Sequence, residues 1–254
     1  MKTLEGKTAL ITGGNRGLGK DTALRLAEQG ANIVITYKNR AESADQTCSE
    51  LAELNVKAAS LQLDLSSSDQ IEQFKQSFSA QLADWNLTSF DILINNAGVT
   101  SESPFGHISE NELDLLYETN YKSLVLLTQA LEPLLSDGGR IITMGTGLTR
   151  VTFSPMVIYA AMKSAVEVFT RYLANDLGKR GITVNAVSPG GIDNEFNAAR
   201  LEKMPQMREF IASNTALGRM GKTEDIGGVV AFLCSDAARW ISGQRIEVSG
   251  GYKL

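Results

Sequence analysis

Short runs of β-branched and other apolar residues alternate with longer amphipathic stretches along the whole chain, and this alternation constrains the fold more than any other feature. Seven runs have the length of strands and lie at Thr8–Thr12, Ile33–Thr36, Ala58–Leu63, Ile92–Asn95, Arg140–Met144, Thr183–Val187 and Ile246–Val248. The intervals contain helix-length segments at roughly 18–29, 41–54, 68–84, 109–135, 156–179 and 223–235. Apolar strands that alternate with helices are typical of a sheet covered on both faces. We therefore predict an α/β fold with a doubly wound, seven-stranded, mostly parallel sheet.

The same alternation continues without a linker, so we expect one domain spanning residues 1–254. Its least regular part is the segment at about 190–221, which lies between two predicted strands and carries charged residues and methionines. Ligands of doubly wound sheets bind outside the carboxyl ends of strands, and this segment follows such an end. We interpret it as a lid-like substrate segment; the alternative is a pair of surface helices that completes the crossover.

The composition excludes several classes of function. The chain carries 24 Lys+Arg against 29 Asp+Glu, a balance that argues against a nucleic-acid partner. Cys48, Cys234 and His107 are the only residues of their types, so no metal site is expected, and His107 is interpreted as a surface or substrate-loop residue. No run of 18 apolar residues and no secretory leader is found, so we expect a soluble, cytoplasmic protein without a membrane partner.

A glycine-rich turn, Thr12-Gly-Gly-Asn-Arg-Gly-Leu-Gly19, joins the first predicted strand to the first predicted helix. Glycine permits positive φ and a close approach of the backbone to a ligand. The free N–H groups and the dipole of the helix N-terminus favour a pyrophosphate at this place. The position of the turn therefore predicts dinucleotide binding by a Rossmann-type fold, although glycines also serve ordinary turns.

The glycine spacing, Gly-x3-Gly-x-Gly, resembles the nucleotide loop of the short-chain dehydrogenase/reductase family. The resemblance covers nearly the whole chain, because Asn95-Asn96-Ala97-Gly98, Tyr159-x3-Lys163 and Pro189-Gly190 follow in the family's order and Asp64 matches its adenine-contacting aspartate. It implies a homotetramer, with segments 109–135 and 156–179 at one interface. The cofactor-binding residues that it implies are Gly13, Asn15, Arg16, Gly17, Leu18, Gly19, Tyr37, Lys38, Asp64, Leu65, Asn96, Ala97, Gly98, Tyr159, Lys163, Pro189, Gly190 and Ile192.

The end of the second predicted strand distinguishes between the nicotinamide cofactors. Sheets that bind NAD usually carry a carboxylate there, which grips the ribose hydroxyls. In this chain the strand ends in Thr36-Tyr37-Lys38-Asn39-Arg40, and the first carboxylate is Glu42. A carboxylate about 4 Å from a 2′-phosphate would cost roughly 1–4 kcal/mol per charge. We therefore predict NADP(H), with Arg16 and Lys38 beside its 2′-phosphate; the alternative is that both are solvated surface cations.

The spacing of Tyr159 and Lys163 predicts proton transfer. Residues four apart on a helix project from one face. A lysine cation roughly 5 Å from the phenol, at an effective dielectric of about 20, would lower the tyrosine pKa by about two units. Asn120 lies in a leucine stripe, where a buried amide needs hydrogen-bonding partners; the resemblance implies that it holds a water that links the lysine to solvent. Thr146 stands where the family places a substrate-binding serine.

These features predict an NADPH-dependent oxidoreductase that reduces a carbonyl to an alcohol, reversibly, with Tyr159 as the proton donor. The substrate stays open between a small ketone, a sugar, a polyketide-like ketone and a carrier-bound 3-oxoacyl group. Asn175 mildly disfavours the last of these, because many acyl reductases have a cation at that position. The departures at Thr146, Asn194 and Ser249 leave an alternative, a non-catalytic NADP-binding regulatory or redox-sensing protein.

Overall fold

One parallel sheet organises residues 2–254, the part of the chain that the computed structural model describes. Its strands run in the order β3-β2-β1-β4-β5-β6-β7, and every neighbouring pair is parallel. The predicted doubly wound α/β fold is confirmed, with the sheet entirely rather than mostly parallel. The strands are β1 (Thr8–Ile11), β2 (Asn32–Tyr37), β3 (Ala58–Gln62), β4 (Phe90–Asn95), β5 (Leu135–Met144), β6 (Thr183–Pro189) and β7 (Arg245–Val248).

Helices connect the strands and cover the sheet on both sides. Within the described range they are α1 (Gly17–Glu28), α2 (Ala41–Ala52), α3 (Ile71–Asp84), α4 (Glu110–Tyr117), α5 (Ser123–Leu131), α6 (Val157–Leu177), α7 (Glu195–Lys203), α8 (Gln206–Ser213) and α9 (Glu224–Cys234). One buried cluster joins α1, α2 and α9 to the sheet, and a second joins α3, α5 and α6 to its opposite face.

The two cores follow from the strand pattern. On β1, Ala9 and Ile11 belong to the first cluster and Leu10 to the second, because successive side chains of a strand point to opposite faces. In the second cluster the ring of Phe78 packs edge-on against Phe90, with 5.1 Å between ring centroids. Full burial of a side chain of this size contributes about 1.5–3 kcal/mol, so both faces of the sheet contribute to stability.

The predicted helix at 109–135 is not continuous. Helix α4 ends at Tyr117, a π-helical turn occupies Glu118–Lys122, and α5 begins at Ser123. Pro133 lies in a 3₁₀ turn that follows α5, since proline cannot continue a helical hydrogen-bond ladder. The apolar stripe runs through the π turn unchanged, so periodicity alone could not reveal it. The turn contains Asn120, and π turns are frequent at functional sites.

The segment at 190–221 contains two helices, α7 and α8, as the alternative of a helix pair in this segment predicts. They lie between β6 and α9, and residues from both line the main cavity of the protein. Among residues 2–254, no helix combines the length and the apolar character that a membrane span requires. The same residues contain no cluster of three His, Cys, Asp or Glu side chains placed to hold a metal ion.

Candidate active site

A cavity of about 580 Å³ opens at the carboxyl ends of the strands. It spans the switch point between β1 and β4, where ligands of doubly wound sheets bind. Every site residue predicted from the sequence except Asn120 lies in its wall. These residues are Gly13, Asn15, Arg16, Gly17, Leu18, Gly19, Tyr37, Lys38, Asp64, Leu65, Asn96, Ala97, Gly98, Thr146, Tyr159, Lys163, Pro189, Gly190 and Ile192.

The glycine turn forms one end of this cavity. Gly13 and Gly17 have φ values of +63° and +55°, a region that other residues rarely adopt. A Cβ on Gly19 would lie 2.3 Å from the carbonyl oxygen of Gly13, so only glycine fits there. Helix α1 starts at Gly17, and the side chain of Arg16 makes no capping hydrogen bond. The first amides of α1 therefore face the cavity with their donors available to an anion.

Thr12 ties the glycine turn to the end of β4, a role that the sequence prediction missed. Its hydroxyl accepts hydrogen bonds from the backbone N–H groups of Asn96 and Ala97, both at 3.0 Å. The side-chain amide of Asn96 donates to the carbonyl of Thr12 at 2.8 Å. Because these bonds cross-link two neighbouring strand ends, they hold the turn and the Asn96-Ala97-Gly98 segment in a fixed relation.

The cations beside β2 divide into two groups. Lys38 pairs with Asp64 at 3.0 Å and donates to the hydroxyl of Ser66 at 3.1 Å. Burial raises the pKa of Asp64, but hydrogen bonds from Ser66 and Lys38 outweigh it, so that this pKa lies below its ordinary value. Arg16 lies near Arg40 instead. Arg40 also lines the cavity, and the sequence prediction missed it. Arg40 lies two residues after Lys38, a spacing that could have indicated it.

Tyr159, Lys163 and Thr146 come together in the middle of the cavity wall. The two helical residues are 9% and 2% exposed. The ammonium of Lys163 donates to the carbonyl of Met144 at 2.8 Å and lies 5.9 Å from the centroid of the tyrosine ring. Thr146 lies in the same wall, and its hydroxyl accepts from the N–H of Leu148 at 3.3 Å. Thr146 thus shares the cavity wall with Tyr159, and its serine-like role stays a prediction.

Burial dominates the titration of this pair. It raises the pKa of Tyr159 to about 12, against the opposing effects of the Thr146 hydrogen bond and the Arg200 charge. It lowers the pKa of Lys163 to about 8. The net pKa of Tyr159 is therefore raised, whereas the sequence analysis expected Lys163 to lower it. Removal from water disfavours the charged form of each group. At the distance between them, their electrostatic interaction does not compensate for this cost.

Asn120 lies behind the cavity wall and is fully buried. Its amide nitrogen donates to the carbonyl of Val99 at 3.0 Å, and its carbonyl oxygen accepts from the Val99 N–H at 3.1 Å. A Cβ on Gly98 would lie 2.7 Å from that oxygen and 3.5 Å from the Lys163 nitrogen. Asn120 thus fixes the backbone next to Lys163. These contacts are those of a structural asparagine, and the water relay stays a prediction.

A partly buried ion pair supports the Thr146 loop. Arg245 on β7 donates to the carboxylate of Glu167 at 2.9 Å and to the carbonyl of Thr146 at 3.2 Å. The Glu167 carboxylate also accepts from the hydroxyls of Thr149 and Ser188, at 2.9 and 3.1 Å. Because these partners satisfy the buried charges, the pair can hold the loop rigidly. The sequence prediction missed it, since its members are 78 residues apart.

Helices α7 and α8 close the cavity on the side away from the sheet. Asn194, where the family usually has threonine, caps α7 by accepting from the N–H of Asn197 at 3.2 Å. Arg200 pairs with Glu102 in the loop after β4 at 2.6 Å, and its side chain is 12% exposed. Apolar residues of this wall that the prediction missed are Val99, Leu148, Phe153, Met156, Phe196, Leu201, Met207, Phe210 and Ile211.

Two further residues from the sequence analysis lie outside this wall. His107 is exposed in the loop before α4. Ser249, where the family commonly has aspartate, donates to Glu247 at 2.8 Å and accepts from the N–H of Tyr252 at 3.3 Å. A hydrogen bond from Arg150 is the main cause that lowers the pKa of Glu247 to about 2. Ser249 therefore stabilises the turn after β7.

The fold and this site together define an α/β oxidoreductase of the dinucleotide-binding type. A sequence model described as enoyl-(acyl carrier protein) reductase matches residues 13–253. The chain therefore belongs to the short-chain dehydrogenase/reductase family, as its motifs predict.

Individual relatives match over nearly their full length. An uncharacterized oxidoreductase of Methylorubrum extorquens is 34% identical and covers 100% of both chains. The 3-oxoacyl-[acyl-carrier-protein] reductase FabG of Staphylococcus aureus is 34% identical over 96% of this chain and 97% of its own. The solved structure of the angucycline C-6 ketoreductase LanV with bound NADP superposes with a TM-score of 0.94 at 33% identity, over 99% of this chain and 97% of LanV.

Proposed function

We propose that this protein is an NADP(H)-dependent ketoreductase that reduces a carbonyl to an alcohol and runs reversibly. The observation that carries the proposal is the position of Tyr159, which shares one cavity wall with Thr146, Lys163 and the glycine turn. The three relatives described above are named as oxidoreductases or reductases, and none supports the non-catalytic alternative.

The cavity fits a nicotinamide dinucleotide. A Cβ at Gly19 would fill the cradle that the turn forms, and the first amides of α1 face it. Arg16, Lys38 and Arg40 lie at the same end and suit a 2′-phosphate, because guanidinium groups match phosphate oxygens in pairs. LanV, whose fold this chain shares, is described with bound NADP. When bound, the cofactor supplies or accepts a hydride.

Each residue of the central cluster has a distinct role in the proposal. Tyr159 holds the proton that the reduced carbonyl oxygen takes up, and Thr146, in the same wall, positions that oxygen. Lys163 places a positive charge beside the ring while the Met144 carbonyl orients its ammonium. Asn120 holds the Val99 backbone against this group, and its predicted water relay belongs to the same proposal.

We further propose that the substrate is a ketone on a large apolar skeleton. The substrate side of the cavity is lined by methionine, phenylalanine and aliphatic side chains, and methionine adapts to ligands of irregular shape. LanV is named as an angucycline ketoreductase, which agrees with this class. A carrier-bound acyl group is less well supported, since Asn175 in the last turn of α6 stands where many acyl reductases have a cation for an acidic carrier, and Asp176 follows it.

The remaining expectations stay part of this proposal. Residues 1–254 act as one domain, and the segment at about 190–221 acts as a lid, as its position over the cavity suggests. The protein assembles as a homotetramer, supported by exposed apolar residues such as Leu126 and Val168 on α5 and α6. It works in the cytoplasm, which supplies reduced NADPH. Light scattering of the purified protein and fractionation of its cells test the last two points.

The proposal is tested by Tyr159→Phe, with Tyr172→Phe as the matched control, because Tyr172 is 70% exposed on the same helix. The purified variants are assayed for NADPH consumption with bicyclic aromatic ketones. Tyr159→Phe should lose roughly 10²–10⁴-fold in kcat/KM while its Kd for NADPH stays within about threefold of wild type. Tyr172→Phe should match wild type. Equal rates for both variants would show that Tyr159 is not the proton donor.

A further inference from the structure

Glu195 joins the lid to the cofactor end of the cavity. It is the first residue of α7, and one of its carboxylate oxygens lies 3.4 Å from a guanidinium nitrogen of Arg16 and 3.4 Å from one of Arg40. Arg16 belongs to the glycine turn and Arg40 precedes α2, so the carboxylate reaches across the mouth of the cleft. A single anion thus bridges two cations that come from separate elements.

The position of this carboxylate is one that an anion must fill. Two guanidinium groups that share one oxygen repel each other unless a negative charge lies between them. Lys38, the third cation of this end, is already paired with Asp64. Among residues 2–254, Glu195 is the carboxylate that pairs with Arg16 and with Arg40. A phosphate carries negative charge, as the carboxylate does. It would bind the same two guanidinium groups more strongly, through bidentate hydrogen bonds.

We propose that Glu195 is a specificity-determining residue for the cofactor, because its carboxylate occupies the place between Arg16 and Arg40 that a 2′-phosphate takes. The inference rests on the proposed function, in which these arginines bind that phosphate. A phosphate-bearing cofactor must displace Glu195, whereas a cofactor without this phosphate leaves both ion pairs intact. Glu195 therefore reduces the preference for NADP(H) over NAD(H).

The lid is attached at two places, and displacement of Glu195 releases only one of them. Displacement of Glu195 releases the N-terminal end of α7 from the glycine turn. Arg200, five residues on, keeps its pair with Glu102 on the substrate side. The side chains of Arg16, Arg40 and Glu195 are 44%, 61% and 59% exposed, so solvent weakens their attraction. We therefore expect changes in affinity of about three- to tenfold rather than larger ones.

The test is calorimetric binding of adenosine 2′,5′-bisphosphate and of 5′-AMP to the full chain at low salt. Glu195→Gln removes the charge at constant size, and Glu202→Gln, exposed on the same helix, is the control for net charge. Glu195→Gln should bind the bisphosphate about three- to tenfold more tightly than wild type and bind AMP within about twofold. Glu202→Gln should match wild type, and the difference should shrink at high salt, where exposed charges are screened.

Arg16→Ala separates the two ways in which the inference can fail. If Arg16→Ala weakens bisphosphate binding while Glu195→Gln equals Glu202→Gln, the role of Glu195 is refuted and the 2′-phosphate site stands. If wild type binds bisphosphate and AMP equally and Arg16→Ala changes neither, the proposed phosphate site itself is wrong. Weaker bisphosphate binding by Glu195→Gln would also overturn the inference, because it would make the carboxylate a supporting residue.

Discussion

The cation beside Tyr159 and the cations at the cofactor end of the cavity are held in opposite ways. Lys163 is 2% exposed, donates to one backbone carbonyl and has a pKa lowered to about 8 by burial. Arg16 and Arg40 are largely exposed and share a carboxylate on a helix across the cleft. A buried charge has a high desolvation cost and therefore one rigid environment, whereas an exposed charge can exchange partners. Lys163 is therefore held in one position, whereas Arg16 and Arg40 can exchange their partner.

The largest effect is expected from Lys163→Met. Loss of the ammonium removes the positive charge beside Tyr159 at constant apolar bulk, and kcat/KM should fall roughly 10³-fold. Lys179→Met, an exposed lysine just after α6, is the control and should retain wild-type rates. Steady-state kinetics with NADPH and an apolar ketone measure both. If Lys163→Met lost no more of its kcat/KM than a variant of an exposed arginine, the contrast between Lys163 and the exposed cations would not hold.

A second effect is expected on the free energy of unfolding, at the ion pair between Arg245 and Glu167. Arg245→Met leaves the carboxylate of Glu167, which is 11% exposed, without its cation, and should cost roughly 2–3 kcal/mol of unfolding free energy. Glu167→Gln combined with Arg245→Met should recover part of this loss, because no unpaired charge remains. Denaturant titration measures both. If the single variant were no less stable than the double variant, the pair would not be balancing a buried charge.

The pH dependence of stability follows from the lowered pKa of Lys163. The folded protein releases this proton near pH 8, while the unfolded chain holds it to the ordinary value of 10.5. Because the unfolded state then binds more protons, the unfolding free energy should rise with pH across that window, by about 2 kcal/mol up to pH 10. Tyr159 acts oppositely above about pH 10, since its folded pKa is about 12.

Lys163→Met should lack this rise, whereas Lys179→Met should keep it. Denaturant titrations at a series of pH values between about 8 and 10 measure the three proteins side by side. A parallel pH dependence in wild type and Lys163→Met would mean that Lys163 titrates normally in the folded protein. Lys163 would then resemble the exposed cations Arg16 and Arg40.

The smallest effect is expected at the exposed end. Arg16→Ala should weaken NADPH binding about tenfold, which is 1.4 kcal/mol, and should change NADH binding less than twofold. Arg171→Ala, exposed on α6, is the control. Fluorescence titration of NADPH and NADH measures both affinities. An equal loss for both cofactors would indicate that Arg16 acts on the shared pyrophosphate rather than on the 2′-phosphate.

Much of the fold was predictable because its determinants are local. The glycine turn between β1 and α1 requires a backbone that residues other than glycine rarely adopt, so its spacing can be recognised in the sequence. Tyr159 and Lys163 share one helix, where a spacing of four residues places both on one face. Arg40 could also have been predicted from the sequence, because it follows Lys38 by two residues just after β2.

Other features depend on groups that are distant along the chain. Arg245 reaches Thr146 across 99 residues, and Glu195 reaches Arg16 across 179. The π turn around Asn120 leaves no mark on the apolar stripe that surrounds it. No periodicity reports such contacts, because they arise only when separate elements pack against one another.

The sequence by itself determined the layers of the protein, the turn that receives a dinucleotide and the pairing of a phenol with an ammonium, since each follows from backbone geometry over a few residues. Only the tertiary structure decided that burial raises the pKa of Tyr159, that Asn120 serves the backbone of Val99 and that Glu195 lies between two arginines. Desolvation and long-range pairing depend on what surrounds a side chain in space, and neighbours in space are distant in the chain.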